Sequence, residues 1–112
     1  MVNDTSLGAL EDAQQQESRT ARQRIELAEE YLAHYRSRIH MVQESFYELS
    51  ARHGIQDDPG LRTELQRVSE VADENTRHTG WKIAELEEDH QTMTSQHAEE
   101  RERFIEHQRK NG

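Results

Sequence analysis

The chain has 112 residues and a net charge of −9; it is 33% charged and 31% apolar, with one proline and no cysteine. That is one domain's length with too little apolar material for a thick globular core, and the missing cysteine excludes a disulfide framework or a zinc–thiolate site. The acidic balance disfavours nucleic acid and anionic lipid, and no apolar stretch approaches the roughly 20 residues that cross a bilayer. Residues 1–20 carry Glu11, Asp12 and Glu17 and lack the apolar core of a signal peptide. The expected location is the cytoplasm, with export alongside a partner and without a cleaved signal as the alternative.

The apolar residues are periodic rather than scattered, which argues for long helices over disorder. Asp4, Thr5 and Ser6 are candidate N-caps, and Leu7 and Leu10 begin an apolar face that Gln14, Gln15, Gln16, Glu17 and Ser18 interrupt. Ala21, Ile25, Ala28, Leu32, Tyr35, Ile39, Val42, Phe46 and Leu49 then repeat in alternating steps of three and four, extended by His53. Gly54 suits a left-handed C-cap, Asp57 or Asp58 an N-cap, and Pro59 the first turn of a second helix. There the seam resumes with Leu61, Leu65, Val68 and Ala72 and continues through Asn75, Thr79, Ile83 and Leu86. Two consecutive steps of four around Thr79 form a stutter, and Gly80 within it is expected to make room for Tyr35.

These elements predict an all-α protein: an antiparallel two-helix coiled-coil hairpin forming one domain over residues 1–112. Helix one covers about 5–53, the turn 54–59 and helix two about 59–109, each helix roughly 70 Å long. Folding back about the break places Leu49 by Leu65, Phe46 by Val68, Val42 by Ala72, Leu32 by Ile83 and Ala28 by Leu86. Further along it places Ala21 by Met93 and Leu10 by Phe104. Between these, Ile25 meets His90, Ser18 meets His97 and Gln14 meets Glu100. The near half should therefore close on itself, and the polar far half should fray or be completed by a partner.

A second apolar stripe, Leu27, Tyr31 and Met41 with His34 and Arg38 between them, flanks the first seam. Val71, His78 and an outward Trp81 flank the second. Stripes beside a seam widen the apolar face past what one antiparallel neighbour covers, as in a three- or four-helix bundle. These six apolar or aromatic-flank positions (Leu27, Tyr31, Met41, Val71, His78, Trp81) are the expected contact face for a helical partner. The alternative is a homodimeric, structural four-helix bundle.

Seven histidines raise the question of a metal, and Glu87-x-x-His90 has the spacing of bundle di-iron sites. Such sites need a second Glu-x-x-His and two more glutamates, which helix one does not supply, so no metal and no cofactor is expected. Protonation of His90 and His97 below about pH 6.5 is expected to weaken the far half. With no phosphate loop and no nucleophile paired to a base, no catalysis is expected either.

The break from His53-Gly54 to Pro59-Gly60, the run Ser45-Phe46-Tyr47-Glu48-Leu49 before it, and the acidic, Gln/Arg-rich end from Glu85 to Lys110 together resemble a known group. These are the small helical-hairpin proteins encoded beside LXG toxins in Gram-positive bacteria, related in shape to WXG-type secreted hairpins. The resemblance implies binding to the helical N-terminal domain of a toxin, with a second small hairpin protein as a further partner, and delivery to a type VIIb secretion machine. WXG proteins carry Trp-x-Gly at the turn, whereas Gly80-Trp81 lies mid-helix in reversed order. The Tyr-x-x-x-Asp/Glu export signal is absent too, its nearest echo being Phe104-x-x-x-Gln108. The resemblance thus implies a chaperone or targeting factor rather than the signal-bearing subunit.

Overall fold

A computed structural model describes residues 6–111, which form two long helices: α1 (Leu7–Arg52) and α2 (Pro59–Asn111). They pack against each other as an antiparallel hairpin, with no strand among the described residues. The caps follow from local chemistry. Ser6 Oγ accepts the Ala9 N–H at 3.0 Å, satisfying a donor that the first turn cannot. Asp4 and Thr5 lie outside the described residues.

At the other end of α1, Gly54 adopts φ +66°, its N–H reaches the Ala51 carbonyl at 3.2 Å, and the Ile55 N–H reaches the Ser50 carbonyl at 3.0 Å. This pair of bonds is a Schellman motif, which needs a left-handed residue at its centre. Pro59 then opens α2, with Asp58 Oδ1 accepting the Leu61 N–H at 3.0 Å and Arg62 paired to Asp57 at 2.8 Å. A side chain at Gly54 would be held in a conformation that L-residues adopt at a cost of about 1–2 kcal/mol. Gly54→Ala should lower unfolding free energy by that amount in a urea titration followed by circular dichroism.

Residue contacts divide the hairpin into two units: Ala28–Ile83, which includes the turn, and Met1–Leu27 with Ala84–Gly112. In the turn unit, Ala28, Leu32, Tyr35 and Ile39 face α2 as the heptad reading expects. Beyond Ile39 the seam departs from it. Gln43 and Ser50 turn inward, opposite Leu65, Ser69, Ala72 and Thr76, and Gln43 Nε2 donates to Ser69 Oγ at 2.9 Å. The expected layers Val42–Ala72, Phe46–Val68 and Leu49–Leu65 are therefore corrected: Val42, Phe46, Leu49 and Val68 are exposed.

The cause is the mismatch between a 3.5-residue repeat and a helix of 3.6. A straight helix rotates about 20° per heptad away from a strict seven-residue pattern. Across the stretch from Ile25 to Leu49 this amounts to about 70°, most of the roughly 100° between neighbouring residues. The inward position consequently passes to the next residue along, from Val42 to Gln43. On α2 the same slip moves it from Val68 to Ser69 and from Asn75 to Thr76.

Gly80 also differs from expectation. A Cβ added there would meet nothing within 4 Å, and the Tyr35 hydroxyl is engaged instead by Asn75 Nδ2 at 3.0 Å. The glycine makes no room that the fold requires. Gly80→Ala should then raise stability by about 0.5–1 kcal/mol, because alanine loses less backbone freedom on entering a helix. An unchanged or lower thermal midpoint would show that the position is constrained by something other than this hairpin.

Candidate protein-binding face

Val42, Phe46 and Leu49 form one ridge along α1, and Val68 and Val71 form its counterpart on α2. Seen from one end, an ascending and a descending right-handed helix turn in opposite senses. The flank preceding the seam on α1 and the flank preceding it on α2 therefore look out on the same side. The Tyr35–Asn75 bond crosses between the helices on that side. The five ridge residues are between 41% and 54% exposed, so half of each apolar side chain meets solvent.

The same geometry places most of the sequence-predicted contact residues around this face. Tyr31 continues the α1 ridge, Met41 lies on its outer flank, and Val71 belongs to the α2 ridge itself. His78 follows on the outer flank of α2, and Trp81, 64% exposed, lies further round the same helix. Leu27, 65% exposed, belongs to the other unit. Sequence reasoning assigned Val42, Phe46, Leu49 and Val68 to the interior and so missed the centre of the face. On the opposite side of the turn unit, Tyr47, Ser50, Leu61, Arg62, Leu65, Gln66 and Ser69 border a groove of mixed polar and apolar lining.

The charged residues near the ridges are arranged by helix. Arg38 stands four residues before Val42, and Arg52 three after Leu49; on α2, Glu64 stands four before Val68 and Glu74 three after Val71. Arg38 and Glu64 thus lie beside the two ridges, whereas Arg52, two residues from the inward Ser50, and Glu74, two from both Ala72 and Thr76, lie on the sides of their helices turned away from the seam. Glu64 reaches Arg67 on its own helix at 3.7 Å.

The second unit has a different interior. Gln14 and His97 are 5% and 7% exposed, yet no buried polar side-chain atom among the described residues lacks a partner. Gln14 Nε2 donates to the His97 carbonyl at 3.0 Å, while its Oε1 accepts from Arg101 at 2.7 Å. His97 Nε2 meets the Glu17 carboxylate at 3.1 Å, and His90 Nε2 meets Ser18 Oγ at 3.0 Å. Gln14 therefore meets Arg101 rather than Glu100, and Ser18 meets His90 rather than His97. Glu17 and Arg101 were overlooked because isolated charges in a polar run carry no periodic signal.

Removing Gln14 would strand the Arg101 guanidinium in a partly buried place. Gln14→Ala should cost about 1–3 kcal/mol in a denaturant titration, and a cost near zero would mean water already satisfies that layer. Among the described residues, no group of three or more histidine or carboxylate side chains is placed to hold a metal ion. No helix of the described residues is long and apolar enough to cross a membrane. No protein-family model, characterised protein or solved structure matches this chain.

Proposed function

We propose that this chain is a non-catalytic interaction protein whose turn unit completes a helical bundle with another helical chain. The observation that carries this reading is the ridge pair Val42–Phe46–Leu49 and Val68–Val71, a contiguous apolar face left open by the hairpin's own packing. The surface area agrees. The chain exposes 9044 Å², where a folded monomer of 13.2 kDa exposes about 6,400 Å². The excess is on the order of the 2,000–5,000 Å² that obligate interfaces bury.

A flat apolar face on two parallel ridges suits helices laid into the groove between them, with Tyr31, Met41 and Trp81 as outer anchors. The resemblance to hairpin partners of LXG toxins specifies this reading: a chaperone or targeting factor that holds the helical N-terminal domain of a secreted toxin for a type VIIb machine. Co-expression with the helical domain encoded beside this chain, followed by size exclusion with light scattering, tests it. A stoichiometric complex that Phe46→Asp dissolves supports the reading, and a complex indifferent to that change moves the binding site elsewhere. Absence of any complex removes the toxin-targeting role.

A further inference from the structure

We infer that the turn unit has a second packing state, in which α1 and α2 wind about each other and turn the apolar ridges into their own seam. The hairpin then covers its binding face itself, and a partner helix is what holds that face open. This rests on the reading that the face is a binding site and adds how the site is regulated: self-closure and partner capture compete for the same side chains.

Two seams run along the same stretch of chain. The straight seam of the structure sets Gln43 and Ser50 of α1 opposite Leu65, Ser69, Ala72 and Thr76. Beside it, Ile39, Val42, Phe46 and Leu49 keep the alternating steps of three and four that suit a helix underwound to about 3.5 residues per turn. Leu61, Leu65, Val68 and Ala72 do the same on α2.

A left-handed supercoil makes up the drift of about 20° per heptad between the two seams. Ile83 is buried and anchors the end of the unit away from the turn. From Ile83 to Val68 is about two heptads, so winding rotates the helices at that level by about 40°. Val42 and Val68 then swing into the seam, and Gln43 and Ser69 swing out on the opposite side. The two rotations are compatible because both ridges lie on one side of the hairpin and turn inward together, like meshed cogs. No slip along the axis is needed. Counting from the Gln43–Ser69 bond, Val42 is level with Glu70, between Val68 and Ala72.

The polar groups do not oppose this exchange. Ser50 Oγ donates to the Phe46 carbonyl of its own helix at 2.8 Å and keeps that bond when the helix turns. Gln43 and Ser69 exchange one mutual bond for bonds to water. In return Val42, Phe46, Leu49 and Val68, all half-exposed in the straight form, lose contact with water. Each arrangement covers what the other exposes, as a two-state element requires.

Thiol reactivity tests the inference. The chain has no cysteine, so Val42→Cys carries a single thiol on the ridge, and Glu48→Cys, two residues from both Phe46 and Ser50, carries a reference thiol facing away from the seam. Val42 is 54% exposed in the straight form, where the two thiols should react with Ellman's reagent at similar rates. With closure, the Val42→Cys thiol should react roughly tenfold more slowly than the reference. Gln43→Leu with Ser69→Ala makes the straight seam apolar, so adding that pair should abolish the protection. The same pair should tighten binding of the helical domain encoded beside this chain by about the factor of protection lost.

Equal rates for the two thiols overturn the inference, as does protection that the seam changes fail to release. Protection that grows between 1 and 100 µM overturns it too, since another copy then covers the ridge. The broader reading fails separately. If a helical domain binds through Phe46 and the thiol is never protected, only self-closure is lost. If the thiol is protected as described and no helical domain alters its rate, self-closure stands and partner capture falls.

Discussion

Phe46→Asp is expected to weaken association through the turn-unit face by on the order of a hundredfold while leaving the hairpin folded. The two halves of this expectation come from different places. A large aromatic at the centre of an apolar patch is where binding energy concentrates, and a carboxylate there must be desolvated by any apolar partner. Phe46 is already 41% exposed in the isolated chain, so the same carboxylate keeps contact with water and should cost the fold only about 1–2 kcal/mol. The strict heptad reading forecasts the opposite, since a charge buried against Val68 would unfold the near half. Circular dichroism melts beside light scattering separate them: lost helicity restores the heptad seam, and retained helicity with retained association places the partner elsewhere.

Ile83→Ala should have the largest effect on folding. Ile83 is among the few apolar side chains that are buried, together with Ile25 and Ala72. Deleting most of a buried isoleucine side chain removes its transfer free energy and leaves a cavity, at a combined cost of about 2–5 kcal/mol. Small domains have only about 5–15 kcal/mol in total, and this one has a thin core, so the variant should be largely unfolded well below the parent's thermal midpoint. Val71→Ala, on the exposed ridge, serves as the control and should change stability by under about 0.5 kcal/mol. Comparable losses in the two variants would mean that Ile83 is not part of a packed interior.

The hairpin itself was legible because its signals are local. Ser6, Gly54, Asp58 and Pro59 are cap and turn residues whose roles follow from their own backbone and side-chain chemistry, and the structure uses each as expected. The seam was legible where it begins, from Ile25 to Ile39, and not where it ends. A residue-by-residue pattern of threes and fours fits a helix locally, but the angular error accumulates with length, and no single position announces that Val42 has given way to Gln43. For that reason Val42, Phe46, Leu49 and Val68 were expected in the interior and are exposed instead. The exposure of Tyr31, Met41, Val71, His78 and Trp81 was legible because they are apolar or aromatic groups off the seam. The polar interior around Gln14 and His97 was expected in kind, but the partners of each group depend on side-chain reach, which spacing does not encode.

The Schellman turn at Gly54 also bears on the order in which this chain acquires structure. Gln43 and Ser69 are 26 residues apart in sequence, whereas Gln14 and His97 are 83 apart. Bringing the second pair together from a free chain costs about 1 kcal/mol more in loop-closure entropy than the first. Once the turn has set, each further pair needs only a short closure, so ordering proceeds from Gly54 outward in the manner of a zipper. The apolar ridges beside the turn are thus complete before the chain ends meet. On a nascent or newly released chain, the surface for other helices exists before the hairpin has finished closing.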